Sequence, residues 1–305
     1  MVLSSLKRKQ KRKKNALFDE AFMAKLEYLD IVAKKAFSGG ARGEKRSKKL
    51  GAGLEFADHR RYTPGDDYRN IDWNVYVRMG KLLLRLFEEE EDLYVYILID
   101  CSASMAVGDT KKFDYARRLA AALAYVTLSN MDRVSIVPFA NALGAALSPS
   151  RGKAQIFRVF DYLGQMQATG QTEMHDAFKG FVHQKKRRGV AVVLSDFYSA
   201  TGYEDALNLL RYHKYEPFVI QIADDRELNP DLRGDLVLVD CETGEKRELT
   251  LTRRLLNKYR RAYEAWCQEL ENFCKQRHLS YFRTPVQTPF DELMLRIFRA
   301  GGFLR

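Results

Sequence analysis

The sequence predicts an α/β fold built on a doubly wound, mostly parallel sheet, with an N-terminal β-rich extension before it and C-terminal helices after it. Two uninterrupted apolar segments, Tyr94–Asp100 and Val190–Asp196, are typical of strands that are buried on both faces. Between and after them, shorter strand-like runs alternate with helical patterns of about 10 residues or more, which indicates βαβ units. Such units form a parallel sheet that helices cover on both faces.

The other elements follow from the spacing of apolar residues along the chain. The patterns predict strands at Arg133–Phe139, Ala142–Leu147, Pro217–Ala223 and Leu279–Arg283, and a hairpin of Leu236–Asp240 with Lys246–Leu249 around Glu242-Thr243-Gly244. They predict helices at Phe18–Phe37, Phe113–Asn130, Gln155–Met166, Glu173–Lys186, Tyr203–Tyr212, Arg253–Arg277 and Phe290–Arg299.

These elements divide the chain into four segments. Residues 1–50 contain a basic arm, a helix and a glycine-rich loop, and residues 51–92 form the β-rich extension. Residues 93–250 form the main α/β domain, and residues 251–305 form a helical segment packed on its core.

Positive charge is concentrated at the N-terminus. Residues 1–50 carry 15 Lys/Arg and 5 Asp/Glu, a net of +10 out of +11 for the whole chain. The run KRKQKRKK at residues 7–14 predicts a solvated arm or a weak contact with polyanions or anionic lipid. Because the rest of the chain is close to neutral, we do not expect the folded part to recognise nucleic acid specifically.

Cysteine usage and hydropathy suggest a cytoplasmic protein. The four cysteines form no Cys-x-x-Cys pair, which favours reduced thiols over a disulfide framework or a zinc site. No apolar run approaches the ~18–20 residues that a bilayer-spanning helix needs, so we expect no integral membrane segment.

Oxygen-bearing side chains follow both buried strands. Asp100 ends the first strand and is followed by Ser102 and Ser104, while Asp196 ends the second, and Thr172 lies near the start of a predicted helix. Because ligands of open α/β sheets bind at the carboxyl ends of the strands, we expect these five residues to converge. Hydroxyl and carboxylate oxygens suit a hard cation such as Mg²⁺ or Mn²⁺. The alternative is that these residues only cap helices.

A second motif precedes the first buried strand. Pro64-Gly65 marks a tight turn, in which glycine accepts a positive φ. The acidic and basic residues around it predict ion pairs that fix the turn, and Trp73 is expected to anchor the core. The motif residues are Arg61, Tyr62, Pro64, Gly65, Asp66, Asp67, Arg69, Asp72 and Trp73, with Arg60 beside them.

Asp100, Ser102, Ser104, Thr172 and Asp196 resemble the three-part metal-ion-dependent adhesion site of von Willebrand factor A domains. The stretch 61–73, with Gly51–Phe56 and Arg85–Glu88, is similar to the hallmark that precedes such a domain in the bacterial family called domain of unknown function 58. This resemblance implies a von Willebrand factor A-like domain at residues 93–250. It also implies partnership with MoxR-type AAA+ ATPases in protein remodelling or complex assembly.

We therefore expect a metal-dependent protein-binding module and not an enzyme. Its partner would present an acidic residue to the cation, and a MoxR-type ATPase or its client is the partner that the resemblance implies. Two alternatives remain open. One is a magnesium-dependent phosphohydrolase or nuclease that uses the same carboxylates, and the other is a polyanion binder that acts through the basic arm.

Overall fold

The computed structural model describes residues 17–38, 50–51, 55–88, 93–107, 111–184, 187–230, 232 and 234–299. The described residues form two compact units: unit 1 comprises those up to Ala33 and from Leu93 onward, and unit 2 those from Lys34 to Asp92. The basic arm predicted at residues 7–14, and residues 39–49 of the predicted glycine-rich loop, lie outside the described residues. No helix within the described ranges is long and apolar enough to cross a membrane.

The described strands and helices are numbered in chain order. The strands are β1 (Leu50–Gly51), β2 (Glu55–Arg61), β3 (Leu83–Glu88), β4 (Tyr94–Asp100), β5 (Arg133–Phe139), β6 (Leu147–Arg151), β7 (Val190–Ser195), β8 (Glu216–Ala223), β9 (Gly234–Val239), β10 (Lys246–Leu251) and β11 (Ser280–Pro285). The helices are α1 (Glu20–Ser38), α2 (Trp73–Met79), α3 (Lys111–Ser129), α4 (Ile156–Gln165), α5 (Met174–His183), α6 (Glu204–Tyr212), α7 (Asp225–Leu228), α8 (Arg253–Gln276) and α9 (Phe290–Arg299).

Unit 1 is built on a six-stranded sheet with the order β11-β8-β7-β4-β5-β6. All neighbouring strands pair in parallel except β6, which runs antiparallel to β5. The predicted mostly parallel sheet is therefore confirmed. The chain leaves β4 toward β5 on one side and returns to β7 on the other, so the strand order reverses at β4. Such a switch point opens a crevice at the carboxyl ends of the strands.

Helices cover both faces of this sheet. Because successive side chains of a strand point to opposite faces, Tyr96 and Leu98 lie on one face of β4 and Ile97 on the other. Tyr96 and Leu98 pack in a buried cluster with residues of α5, α6 and α8. The alanine-rich helix α3 packs against β4, β5, β7 and β8. Ile97 is fully buried, as the apolar strand pattern predicted.

The C-terminal segment contributes a strand as well as helices. β11 pairs in parallel with β8 and forms one edge of the sheet. The long helix α8 buries Leu270, Phe273 and Cys274 in the core cluster, while α9 packs against α3. Cys267 and Cys274 of α8 are more than nine-tenths buried, and both are free thiols, as the cysteine spacing predicted.

The predicted strand at Ala142–Leu147 is wrong in position, because β6 starts only at Leu147. The segment before it forms a compact turn: the Gly144 amide donates to the carbonyl of Pro138 at 2.9 Å. Residues that form such a tight turn cannot at the same time extend as a strand.

Unit 2 is a small antiparallel sheet of order β1-β3-β2 with the helix α2. The β-rich prediction missed α2, which has clear end signals: Asp72 accepts from the Asn74 and Val75 amides, and Gly80 ends the helix at φ 66°. The expectation that Trp73 anchors the core is wrong. As the first residue of a short surface helix, Trp73 is 55% exposed and packs edge-on against Tyr76.

Candidate functional site

The five residues predicted to converge lie in three loops at the carboxyl edge of the sheet. Asp100 is the last residue of β4, Asp196 directly follows the neighbouring β7, and Thr172 precedes α5. All five residues are buried: Asp100, Ser102, Ser104, Thr172 and Asp196. Burying a polar group costs free energy unless the group is hydrogen-bonded. The clustering of these five residues therefore indicates a functional site or a hydrogen-bonded network.

Hydrogen bonds tie the three loops together. The loop after β4 meets the Thr172 loop through two backbone bonds, and the loop after β7 reaches it through a side chain. These bonds run from the Thr169 amide to the Cys101 carbonyl (2.6 Å), from the Ala103 amide to the Gly170 carbonyl (2.9 Å), and from Ser199 Oγ to the Thr172 carbonyl (3.3 Å). The structure thus brings the predicted site residues into one neighbourhood.

The Asp100 carboxylate is held at both oxygens. Oδ1 accepts from the Ser102 amide at 2.9 Å, and Oδ2 accepts from Ser195 Oγ at 2.5 Å. Burial, aided by the negative charge of nearby Asp196, raises the pKa of Asp100 to about 7 even though these hydrogen bonds oppose the shift. Two buried carboxylates that repel each other in this way are stabilised by a positive charge between them.

Ser102 and Ser104 supply neutral oxygens beside Asp100. Ser104 belongs to a short 3₁₀ helix, Ala103–Ala106, and Ser102 directly precedes this helix at its N-cap position. Their hydroxyl oxygens lie 2.9 Å apart, so one donates a hydrogen bond to the other. A hydroxyl oxygen carries two lone pairs, and the pair therefore retains acceptor capacity in a buried place.

Asp196 is paired with a buried lysine from the start of α3. Lys112 Nζ donates to Asp196 Oδ2 at 2.7 Å and to Glu227 Oε1 at 2.5 Å. Burial opposes the charge on Lys112, but Asp196 and Glu227 outweigh it and raise the pKa of the ammonium above its ordinary value. Tyr198 donates to the other Glu227 oxygen at 3.1 Å, and its own amide donates to Asp196 Oδ1.

Thr172 has an acidic partner from a distant part of the chain. Its amide donates to Glu242 Oε2 and its hydroxyl donates to Glu242 Oε1, both at 3.1 Å. Glu242 lies in the turn of the β9–β10 hairpin, and its backbone carbonyl accepts from the Gln171 side chain at 3.2 Å. Because the Thr172 hydroxyl donates its hydrogen to Glu242, its lone pairs stay available for a cation.

The donor set fits a hard divalent cation. Asp100 supplies a carboxylate, while Ser102, Ser104 and Thr172 supply hydroxyl oxygens, which are ligands that Mg²⁺ accepts. Asp196 is committed on Oδ2 to Lys112, so it would reach a cation through its other oxygen or through water. Within the described ranges, no three His, Cys, Asp or Glu residues group to hold a metal ion, so any such cation would depend on the hydroxyls.

The sequence interpretation missed four residues of this network. Ser195 left a signal, because it is the polar last residue of an otherwise apolar strand. Lys112 and Glu227 left none, since a lysine and a glutamate near helix starts usually face solvent. Glu242 also left none: an acidic residue in a hairpin turn is ordinary, and its contact with Thr172 spans 70 residues of sequence.

The motif turn of unit 2 forms a separate polar network. Asp66 accepts from Arg60 at 2.7 Å and from the Thr63 amide and hydroxyl, and these Thr63 bonds, with Arg60, lower its pKa to about 2. The predicted ion pair that fixes the turn is therefore present, and Gly65 has φ 107°. The remaining motif residues take backbone or capping roles. Arg61 ends β2, the Tyr62 amide donates to the Leu82 carbonyl, and Pro64 precedes Gly65. Asp67 caps the 3₁₀ helix Tyr68–Asn70 by accepting from the Arg69 amide, while Asp72 caps α2 and contacts His59.

Several solved structures are similar to this chain. A conserved hypothetical protein BatB from Bacteroides thetaiotaomicron is 15% identical, with a TM-score of 0.45 over 68% of this chain and 96% of that one. An aerotolerance-related membrane protein from Bacteroides fragilis is 18% identical, with a TM-score of 0.45 over 69% and 98%. Proximal thread matrix protein 1 of the mussel byssus, with a zinc-occupied adhesion-site motif, is 16% identical, with a TM-score of 0.36 over 43% and 36%.

Sequence comparison gives longer matches. The uncharacterized proteins Mb1516 of Mycobacterium bovis and Rv1480 of Mycobacterium tuberculosis are each 28% identical to this chain over 254 residues, which is 81% of this chain and 79% of each relative. The signature of the family described as protein of unknown function DUF58 matches residues 58–269, which span both the motif turn and the site. The chain therefore belongs to the DUF58 family.

Proposed function

We propose that this protein is a metal-dependent protein-binding module whose site holds Mg²⁺ or Mn²⁺ and captures an acidic residue of a partner. The observation that carries the proposal is the convergence of Asp100, Ser102, Ser104 and Thr172, which places one carboxylate and three hydroxyls in one buried neighbourhood. A divalent cation bound there keeps part of its positive charge. An external carboxylate is the natural ligand for that remaining charge.

The chain's own residues set the properties of such a site. Ser195 orients Asp100, and Lys112 holds Asp196 back from full coordination. The cation would supply the positive charge that attracts the partner. The surrounding residues fix the oxygen positions in advance, so little ordering is needed when the partner arrives.

The donor chemistry favours binding over hydrolysis. Two-metal hydrolytic sites use several carboxylates to hold two cations about 3.5–4 Å apart and to activate water. Here Asp196 and Glu227 are engaged by Lys112, and Glu242 is engaged by Thr172, which leaves Asp100 as the carboxylate beside the two serine hydroxyls. A magnesium-dependent phosphohydrolase or nuclease is the competing function, and turnover assays distinguish it.

We further propose a MoxR-type AAA+ ATPase, or its client, as the partner, and the cytoplasm as the place of action. This step rests on membership of the DUF58 family and on the resemblance described above. The basic run at residues 7–14 is proposed to add at most a weak, salt-sensitive contact with polyanions or anionic lipid.

The direct test is co-purification of the full-length protein with a MoxR-type ATPase from the same organism, with Mg²⁺ and with EDTA. We expect capture in Mg²⁺, none in EDTA, and none with Asp100→Ala. Phosphoester hydrolysis that requires both Mg²⁺ and Asp100 would contradict the binding proposal and support the enzyme.

A further inference from the structure

We propose that Glu242 is the site's own acidic ligand, so that an acidic partner binds only after it displaces the β9–β10 hairpin. The inference rests on the proposed function, whose chemistry it extends to a group within the same chain. It begins from the two hydrogen bonds at 3.1 Å that join the Glu242 carboxylate to the amide and hydroxyl of Thr172.

The turn of the hairpin positions this carboxylate. Asp240 Oδ1 accepts from the Glu242 and Thr243 amides, both at 2.8 Å, and Gly244 adopts a φ of 73° that closes the turn. The Glu242 backbone is thus held by Asp240, and Gln171 binds its carbonyl from the site side. The conformation of the turn therefore holds the Glu242 side chain next to Thr172.

Electrostatics gives an independent reason to expect a cation beside Glu242. The loops joined to the Thr172 loop carry two buried carboxylates, Asp100 and Asp196, and Lys112 is already shared between Asp196 and Glu227. A further carboxylate that approaches this neighbourhood is repelled unless positive charge lies between them. Glu242 therefore takes the position that a partner's carboxylate would take next to a cation.

The hairpin is attached in a way that allows it to leave. β9 and β10 form a two-stranded sheet of their own, outside the six-stranded sheet. Val237 and Val239 are 55% and 57% exposed, so little apolar area along β9 opposes its release. A partner's carboxylate must bind the site more favourably than the Glu242 carboxylate that it displaces. The partner's affinity would therefore reflect the difference between these two binding free energies.

The first measurement tests the contact by itself. Hydrogen exchange of a peptide covering residues 169–173 is followed in the full-length protein, in Glu242→Ala and in Glu245→Ala. Glu245 lies on the same hairpin but contacts Arg247, so its variant is the matched control. We expect exchange at Thr172 to be about tenfold faster in Glu242→Ala, because a hydrogen bond to a charged group is lost, and unchanged in the control.

The second measurement tests ligand character with Mg²⁺ and acetate as probes. We expect Glu242→Ala to weaken Mg²⁺ affinity about tenfold or more, because even the outer partners of metal ligands contribute on this scale and Glu242 is proposed as a ligand itself. With Mg²⁺ present, sodium acetate should speed exchange at residues 240–245 in the wild type, while sodium chloride at equal ionic strength should not.

The outcomes separate the two proposals. The role of Glu242 is overturned, and the metal site is retained, if Mg²⁺ binds normally and either of two results is found. One is unchanged exchange at Thr172 in Glu242→Ala, and the other is no effect of acetate on the hairpin of the wild type. Absence of Mg²⁺ binding by the wild type overturns the proposed function itself. Tenfold faster exchange, weaker Mg²⁺ binding and acetate-induced loosening together support the role of Glu242.

Discussion

The ammonium of Lys112 lies 2.7 Å from Oδ2 of Asp196 in the interior of unit 1, and the lysine side chain is only 2% exposed. The same ammonium contacts Glu227 at 2.5 Å and lies 5.1 Å from the centre of the Tyr198 ring. The start of α3, which provides Lys112, is thereby fastened to the loop after β7 and to the short helix α7 after β8. This arrangement predicts a strong dependence of stability on one lysine.

Lys112→Met should destabilise the fold by about 3–5 kcal/mol, because it leaves the buried Asp196 carboxylate, and with it the partly buried Glu227 carboxylate, without their cation. The free energy of unfolding is measured by urea denaturation at neutral pH. Lys179→Met, on the exposed side of α5, is the control and should change it by less than about 0.5 kcal/mol. A loss below about 1 kcal/mol for Lys112→Met would contradict the structural role of this pair.

Asp100→Asn should abolish Mn²⁺ binding measured by calorimetry. The substitution keeps the shape but removes the charge, and it places an amide NH₂ against Ser195 or the Ser102 amide, both of which donate hydrogen bonds. We expect an additional destabilisation of about 1–3 kcal/mol for this mismatch. Asp176→Asn, at an exposed aspartate in the first turn of α5, should leave Mn²⁺ binding unchanged and lower the free energy of unfolding by less than about 1 kcal/mol, through the lost charge at the helix start. Undiminished Mn²⁺ binding in Asp100→Asn would remove Asp100 from the site.

Gly189→Ala should destabilise the protein by about 1–3 kcal/mol or more, because a Cβ at this position would lie 2.0 Å from the backbone oxygen of Tyr94. Gly180→Ala is the matched control. Its Cβ would meet Leu143 at 3.7 Å, an ordinary contact, and alanine favours the helix that contains it. Thermal unfolding of the two variants measures the difference, and equal melting temperatures would contradict the close approach of Gly189 and Tyr94.

The turn that contains Asp66 should weaken in acid. Its folded pKa of about 2 lies below its ordinary value of 3.8, so the stabilisation from Asp66 is complete above about pH 4 and is lost as the pH falls toward 2. Hydrogen exchange of the β2 and β3 amides, corrected for intrinsic rates, should show this loss. Asp66→Asn should flatten the dependence, and Asp58→Asn, an exposed aspartate of β2, should not.

Removal of residues 1–14 should weaken binding to heparin or DNA and preserve Mg²⁺-dependent partner binding. These residues include seven Lys/Arg, and contacts of this kind weaken steeply between low and moderate salt. Asp100→Ala in the full-length chain should show the opposite pattern. If the truncation abolishes partner binding and Asp100→Ala does not, the basic arm is the functional element.

More of the sheet than of the site could be predicted from the sequence. Strands β4 and β7 are buried on both faces, so their apolar runs appear in the sequence, and the polar residues that end them indicate the site edge. Lys112 follows Lys111 at a helix start and resembles a solvated pair. Its burial depends on loops far away in sequence, which local patterns do not encode.

The error at Trp73 came from a missed local signal, whereas the contact missed at the hairpin is a long-range one. Trp73 is large and apolar, and composition alone favours a buried position for it. The Asp72 cap instead starts a surface helix at this residue. For Glu242, the turn residues predicted the hairpin correctly, but only the folded chain shows that its turn reaches Thr172.

Because each unit contains one of the two tryptophans, the fluorescence of the two units can be distinguished. Trp73 is the tryptophan of unit 2 and is exposed, whereas Trp266 belongs to unit 1 and stacks on Tyr198, with ring centres 5.1 Å apart. A soluble quencher should therefore dim the red-shifted emission of Trp73 first and leave the bluer emission of Trp266. Since Tyr198 donates to Glu227, the partner of Lys112, that remaining emission gives an optical signal from the neighbourhood of the site without any attached label.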